Sequence, residues 1–378
     1  MELSQAHACW QINLQQGFGG GEIYTAFLAR AMTARGIAVQ LIVSGRSSFW
    51  RSVDCGDAQI IPVADEHAAL AALPEARSWV LTHGGLGAAA SATLRAQHFL
   101  SAMVHMPLYG RSPDTYRDYA LVIPVSQYVR RSLVDAGYAG AVYAEPLLGV
   151  AEVRGAPTER LLQSSRYDWD RRKLRDRSMA LVEPLLQRLR PHRVYVKRPG
   201  ITLGIISRLT PIKQWPELLS RLTPHLLAFP QIQLEIIGNG GYRSVADLAA
   251  AVKPLGNRVR WWGFQRNVAA AFSGVDYVLS GLPEKEALGL NLIEAQAAGV
   301  PVLAVAAAPF DETVLGGQTG YLYTDPRTDG GQGFAATLLQ VVHQPAPAPL
   351  LASQHLQQFS FEAFADRVAR LAQCCQGR

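Results

Sequence analysis

The sequence is poor in cysteine, has no long apolar run and lacks a general excess of positive charge. Its four cysteines are Cys9, Cys55, Cys374 and Cys375. They show no metal-site spacing and are too few for a disulfide-held fold, so a reduced, cytoplasmic setting is expected. No apolar run approaches the ~18 residues of a membrane-spanning helix. The opening stretch MELSQAHACWQINL has no basic region followed by an apolar core, and no signal peptide is read there. The formal charge is +6, yet residues 151–200 alone hold 13 Lys and Arg against 6 Asp and Glu, so the remainder sums to −1. Basicity confined to one segment argues against a nucleic-acid partner. A complete dinucleotide fingerprint is missing too. QQGFGGGE carries Glu22 where its third glycine belongs, which disfavours a nicotinamide dehydrogenase.

What is present is a globular chain of 378 residues with 49% apolar content. That length suits two domains of roughly 180 residues. The first half alternates strands with helices. Strands are expected at Ala8–Leu14, Ile37–Val43, Ala58–Val63, Ser78–His83, Leu100–Met106, Ala120–Ser126 and Ala141–Pro146. A flexible loop with Gly17, Gly19, Gly20 and Gly21 follows the first strand, and a helix over Glu22–Arg35 stops at Gly36. Such a glycine loop lets backbone approach a phosphate closely; a tight packing turn is the alternative. His83 and His105 fall at strand C-terminal ends, the edge where parallel sheets bind ligands. A second α/β set begins at Ile201 and continues through Ile232–Gly241, Arg258–Gly263, Asp276–Ser280, Val300–Val305 and Gly320–Tyr323. Both sets read as doubly wound parallel sheets. The tail Phe359–Gln373 reads as an amphipathic helix.

The most informative stretch is SGLPEKEALGLNLIEAQAAGVPVLAV, residues 280–305. It reads as strand, loop, helix over Leu288–Ala298, then strand. Glu286 precedes the helix, Gly289 and Leu290 open it, and Glu294 interrupts its apolar side. The helix start offers amides and a positive dipole end to an anion. A carboxylate accepts hydrogen bonds from sugar hydroxyls. Two acids around an anion site therefore suit a ligand with a phosphate between two hydroxyl-rich parts. A solvated acidic pair is the alternative. SRLTPIK adds Arg208 and Lys213 after the first strand of the second set, where two cations suit a diphosphate.

With these residues in view, the chain resembles retaining GT-B glycosyltransferases of the glycogen synthase-like family 4 group. The resemblance rests on the strand followed by SRL and Lys213, on EALGLNLIEA with AGVPV after it, and on GGGE, THG and VSQYVRRSLVDAG in the first half. It implies an α/β fold of two doubly wound Rossmann-like domains facing a cleft. Expected boundaries are 1–150 for an acceptor domain and 151–200 for a basic interdomain segment. A nucleotide-sugar domain would span 201–358, and a terminal helix 359–378 would pack back on the first domain. It implies transfer of a sugar from a nucleotide diphosphate sugar, a UDP-sugar first, to a saccharide acceptor in lipopolysaccharide or other cell-surface glycan assembly. Glu286 would contact the transferred sugar, Gly289 and Leu290 the diphosphate or the sugar, and Glu294 the ribose. Arg208 and Lys213 would neutralise the diphosphate. Gly19, Gly20 and Gly21 would close over the donor diphosphate or the acceptor, Phe264 would stack near the base, and His105 would sit near the reacting sugar. No cofactor and no metal is implied.

The sequence departs from that pattern in two places. Leu148-Gly149-Val150-Ala151 stands where Asn-Gly-Val-Asp is usual, and the basic segment is long. Asp168-Trp169-Asp170 imitates the metal motif of another glycosyltransferase fold but is not at a strand end. Met179–Arg190 suggests a helix with one apolar and one basic face, with Pro184 as an interruption. Such a face suits an anionic membrane surface at the inner face of the cell membrane, with a lipid-linked acceptor. A buried interdomain helix is the competing reading. A nucleotide-sugar 2-epimerase, a transferase acting on a soluble small molecule and a non-catalytic nucleotide-sugar binder remain the functional alternatives.

Overall fold

The computed structural model describes residues 8–169, 174–189 and 193–375. They form two compact units. One runs to Ala151 and resumes at Gln357; the other is Glu152–Leu356.

The first unit is built on a six-stranded parallel sheet. Its strands are β1 (Cys9–Asn13), β2 (Val39–Ser44), β3 (Gln59–Val63), β4 (Trp79–His83), β5 (Phe99–Val104) and β6 (Leu121–Pro124). Their order is β3-β2-β1-β4-β5-β6, so the winding direction reverses between β1 and β4. In such sheets the crevice for ligands opens at the C-terminal ends of the strands flanking that reversal. Apolar strands covered on both faces supply the core, with Ile12, Leu41, Leu81, Leu100 and Val122 buried. The terminal helix Phe361–Cys375 packs on the helix Gly20–Ala34. Phe364 meets Tyr24 edge-to-face at 5.5 Å, and Arg35 reaches Glu362 and Asp366, each at 2.6 Å.

The second unit repeats the plan. Its strands are β7 (Ile201–Ile206), β8 (Ile232–Ile237), β9 (Val259–Gly263), β10 (Tyr277–Leu279), β11 (Val302–Val305) and β12 (Gly320–Tyr323). The order β12-β11-β10-β7-β8-β9 places the reversal between β7 and β10. Each unit is thus a doubly wound Rossmann-like sheet.

The basic segment packs along the β9 side of this second sheet. Ser164 N donates to Trp262 O at 2.9 Å, and Asp168 N donates to Gly240 O at 2.8 Å. Two of its cations, Arg198 and Lys197, serve packing, Arg198 alongside Arg260 of β9. Arg198 at 3.1 Å and Arg260 at 2.6 Å pair with Glu235, which is fully buried in β8 and also accepts from Trp262 Nε1. Lys197 pairs with Asp276 at 2.7 Å. A buried carboxylate needs such partners.

Three expectations need correction. Ala141–Pro146 contributes a single bridge, Val142 to Val122, and no strand; the next rung of the ladder would need an N–H from Pro124 of β6, which has none. The first helix begins at Gly20, so Gly20 and Gly21 lie in its first turn and not in a flexible loop. Gly19 is extended at the N-cap, and Ile23 N already bonds to its carbonyl. The basic helix spans Leu174–Leu189, starting earlier than expected and continuing through Pro184. A proline there removes one backbone hydrogen bond. The helix is also held from its side, because Glu183 accepts from Ser165 Oγ at 2.5 Å and from Trp169 Nε1. Arg171, Arg172, Lys173, Arg190 and Asp170 lie outside the described residues.

Candidate active site

In the second unit the two loops flanking the reversal are locked together. After β7 the chain makes a 3-10 turn, Pro211–Lys213, and Gln214 adopts a left-handed conformation (φ 51°) before the helix Trp215–Leu227. Trp215 is buried and donates to Ser207 Oγ at 3.2 Å, which anchors the loop. Leu282 N, in the loop after β10, donates to Lys213 O at 3.2 Å. Gly281 permits this approach, since a Cβ there would lie 2.4 Å from the Lys213 carbonyl oxygen.

The backbone lock aims Lys213 across the reversal. Its Nζ pairs with Glu286 Oε2 and donates to Asn291 Oδ1 at 3.3 Å. Neither partner of the ion pair is a solvated surface charge: their side chains are 18% and 15% exposed. Arg208 lies on the same loop and is exposed.

Gly289 caps the helix Leu290–Ala297 in the left-handed region (φ 82°), against the Phe310 ring. It turns the chain so that the helix starts beside Glu286. Leu292 N already bonds to Gly289 O at 2.8 Å, so the amides of Leu290 and Asn291 are the ones that this helix start offers to a ligand. Glu294 lies one turn further on, partly exposed but enclosed by protein. Desolvation pushes its carboxyl up to about 8; Arg154 opposes this, Glu152 adds to it and Lys213 opposes it. At neutral pH the ligand-free carboxyl is therefore mostly protonated, able both to donate and to accept a hydrogen bond. Phe264 follows β9, two strands from β7, and is 49% exposed. The Gly263 carbon approaches the Ser164 and Ser165 carbonyls too closely to admit a side chain.

The first unit holds a different arrangement at its own reversal. Gln11 lies in β1, His83 ends β4 and His105 follows β5. His83 Nε2 is 3.0 Å from Gln11 Oε1, and His83 Nδ1 is 3.0 Å from both His105 Nε2 and Thr25 Oγ1. The two imidazoles stack with centroids 5.2 Å apart. Asn13 Nδ2 donates to Thr25 Oγ1 at 2.9 Å, and Gln11 Nε2 donates to Met32 Sδ at 3.2 Å. Burial, with His105 adding to it, holds His83 well below the usual imidazole range, and burial lowers His105 to about 4. Both are neutral at physiological pH.

Sequence reasoning missed Asn291, Gln11, Thr25 and the Arg154–Glu152 pair. A signal existed for Gln11: CWQIN places two amides in a central strand whose neighbours are apolar, and a buried amide needs a partner. Nothing local marked Arg154.

Residues 200–344 match the family model described as glycosyl transferases group 1. Among curated proteins, the chain is 30% identical over 175 residues to a GDP-mannose-dependent monoacylated alpha-(1-6)-phosphatidylinositol monomannoside mannosyltransferase of Corynebacterium glutamicum. That match covers 44% of this chain and 45% of the relative. It is 30% identical over 176 residues to a D-inositol 3-phosphate glycosyltransferase of Rhodococcus opacus, covering 43% and 38%. The chain thus spans less than half the length of these relatives. Similar solved structures cover nearly all of it. Anabaena Alr3699/HepE, solved with UDP and glucose, has a TM-score of 0.67 at 18% identity over 97% of this chain and 99% of that one. A glycosyltransferase from Rickettsia africae has a TM-score of 0.70 at 16% identity over 98% and 99%. The chain has the two-domain GT-B fold, and its residues 200–344 carry the match to glycosyl transferases group 1.

Proposed function

We propose that the protein is a glycosyltransferase that takes a sugar from a nucleotide diphosphate sugar, with UDP-sugar as the first candidate, and transfers it with retention of configuration. The observation that carries this reading is the Lys213–Glu286–Asn291 cluster beside the Gly289-capped helix, with Glu294 one turn on. The helix start and Lys213 suit a diphosphate. Glu286 suits hydroxyls of the transferred sugar and Glu294 those of ribose. Arg208 adds positive charge, Gly289 and Leu290 offer backbone amides, and Phe264 offers a face for the base. In the first unit, Gly19, Gly20 and Gly21 open a helix towards the ligand edge, and His105 meets a sugar hydroxyl.

The chemistry follows from charge. The bond to the leaving diphosphate breaks as positive character builds on the sugar. Lys213, Arg208 and the helix start stabilise the negative charge left behind, which is the larger electrostatic demand. The departing phosphate oxygen takes the proton of the incoming hydroxyl, without a metal.

A thermal-shift screen of nucleotide sugars tests the donor. A ligand at one hundred times its Kd adds about 2.7 kcal/mol, or roughly 2–4 °C per kcal/mol for a domain of this size. UDP-sugars are expected to raise Tm, GDP-sugars less so. A shift with a nicotinamide cofactor and with no nucleotide sugar would overturn the reading.

The acceptor proposed is a saccharide, lipid-linked and part of a cell-surface glycan such as lipopolysaccharide. The phosphatidylinositol-type acceptor named for the Corynebacterium relative supports it. So do Leu174 and Leu181, 82% and 75% exposed on a helix within the basic segment. No helix among the described residues is long and apolar enough to cross a membrane, so peripheral docking on anionic lipid is proposed. Co-sedimentation with anionic vesicles at low salt, weakened in Leu174→Ser/Leu181→Ser, is expected. No binding at low salt would remove this part of the proposal.

A further inference from the structure

The neutral network of the first unit determines more than the position of His105. It also determines which ring nitrogen of His105 carries the proton. Two neutral imidazoles 3.0 Å apart share one hydrogen, so one ring donates and the other accepts. The question is settled at the far end of the chain of contacts. Met32 Sδ can only accept a hydrogen bond. The Gln11 side chain therefore turns its NH2 towards that sulfur at 3.2 Å, and its oxygen towards His83. Gln11 Oε1 then requires a proton on His83 Nε2, 3.0 Å away. A neutral His83 with Nε2–H has a bare Nδ1. That lone pair faces Thr25 Oγ1 and His105 Nε2, each at 3.0 Å. The Thr25 hydroxyl can point its single hydrogen there or to Gly21 O at 2.9 Å, and His83 Nδ1 remains an acceptor in both cases. A bare Nε2 on His105 would set two lone pairs against each other at 3.0 Å, so His105 carries its proton on Nε2 and its own Nδ1 is left bare.

We infer that Met32, Gln11 and His83 form a positioning relay that holds His105 as the Nε2–H tautomer and leaves its Nδ1 as the acceptor for a substrate hydroxyl. The last clause rests on the proposed role of His105 in meeting a sugar; the relay itself does not. None of the three touches substrate. Gln11 and Met32 are fully buried, and His83 nearly so. The elements involved explain why the relay is rigid. β1 and β4 are hydrogen-bonded neighbours across the reversal, with Gln11 opposite Leu81 in register. Met32 comes from the helix Gly20–Ala34, which covers that sheet. A side-chain hydroxyl of a sugar is a good donor, so a bare imidazole nitrogen is the complementary group.

The test reads the tautomer directly. Histidine ring nitrogens are observed by 15N NMR of the full chain at neutral pH, with His83→Phe and His105→Phe assigning the signals. In the parent, both rings should show a protonated Nε2 and a bare Nδ1. A protonated Nδ1 on His105 in the parent would overturn the inference with no variant needed. Gln11→Met removes the acceptor at nearly constant volume and should release His105 into a mixture with Nδ1–H. An unchanged His105 signal in a folded Gln11→Met protein would also overturn it. If that variant does not fold, Met32→Leu removes only the sulfur acceptor, and should cause the same mixing to a smaller degree; an unchanged signal there counts equally against the relay. Kinetics separate the two layers. Gln11→Met should lower kcat roughly 10–100-fold with little change in donor KM, the size typical when an outer partner fixing a histidine is lost. A shifted tautomer with unchanged turnover would leave the relay standing and remove His105 from contact with substrate.

Discussion

The two units share a strand order and a reversal of winding, yet the chemistry at the two reversals is opposite. In the second unit the reversal is charged: Lys213 and Glu286 face each other, with Arg208 on the same loop and Glu294 enclosed nearby. In the first unit it is neutral: two imidazoles, two amides and a hydroxyl satisfy one another. The same scaffold thus offers one edge suited to phosphate and another suited to hydroxyl groups. Fold alone would not have distinguished them. The difference arises from which residues end the strands. Unit two has SRLTPIK after β7 and EKEALGL after β10, whereas unit one has amides within β1 and histidines at the ends of β4 and β5.

The strongest way to break this comparison is to remove the charge from the second unit. Lys213→Ala should lower turnover by about 10²–10³, the scale expected when one stabilising donor at a developing negative charge is lost. Glu286 would lose its cationic partner at the same time. Steady-state kinetics with the best donor measure this. A loss below tenfold would mean that the positive charge for the diphosphate comes from elsewhere.

The next test separates the two acids. Glu294→Ala should weaken binding of UDP itself by about 10–100-fold, because it removes the bonds to two ribose hydroxyls, each worth about 0.5–1.5 kcal/mol at a neutral group. Glu286→Ala should leave UDP affinity nearly intact and reduce transfer. Calorimetry with UDP decides, and equal behaviour of the two variants would break the assignment of ribose to one acid and sugar to the other.

A smaller effect concerns protons. The Glu294 carboxyl is raised to about 8 in the folded protein, above its ordinary value near 4.5. Between those values the folded state holds a proton that the unfolded chain releases. Stability from this group is thus full below about 4.5, declines as pH rises, and is lost above about 8. Glu294→Gln should flatten this slope, so that its Tm rises relative to the parent between pH 6 and 9, with about 2–4 °C for each kcal/mol regained. Parallel Tm curves across that range would show that the carboxyl is not desolvated as the structure indicates. In the neutral first unit the slope has the opposite sign and a lower window: His105 is lowered from its ordinary 6.5 to about 4, so stability rises with pH across that range, and His105→Gln should change no slope above about pH 7.5, where the imidazole is neutral in both states.

The fold was largely legible in the sequence because parallel strands buried on both faces leave continuous apolar runs, as at VPVLAV and DYVLS. Where a strand makes only one bridge, as at Val142, composition could not reveal it: the limit is set by hydrogen-bond partners far along the chain. The charged site was also legible, since Lys213, Glu286, Gly289 and Glu294 lie in two short stretches with telling neighbours. The neutral site was half legible. His83 and His105 mark strand ends, but their link runs through Gln11, Thr25 and Met32, which only the folded sheet brings together. Nor did local pattern show that Arg198 and Lys197 are consumed in pairing with Glu235 and Asp276. Excess charge in a segment says nothing about partners outside it.

The smallest expected effect is that of a chelator. The charged reversal carries its positive charge on protein groups: the Lys213 ammonium held between Glu286 and Asn291, the Arg208 guanidinium on the same loop, and the amides of the helix that Gly289 opens. On the proposed reading, positive charge fixed in this way would meet a leaving diphosphate without reorganisation, the task a divalent ion performs in other active sites. Asp168, the described half of the Asp-x-Asp motif, is exposed, and its backbone N–H is bonded to Gly240 O at 2.8 Å in the segment that borders β9. It lies off both loops that flank the reversal between β7 and β10. Turnover in excess EDTA should therefore match turnover in buffer within about twofold, and Asp168→Asn should behave as the parent does. Activity abolished by EDTA, restored by manganese and lost again in Asp168→Asn would transfer the electrostatic role from Lys213 to a metal held by that motif, and the contrast between a charged and a neutral reversal would need a third partner.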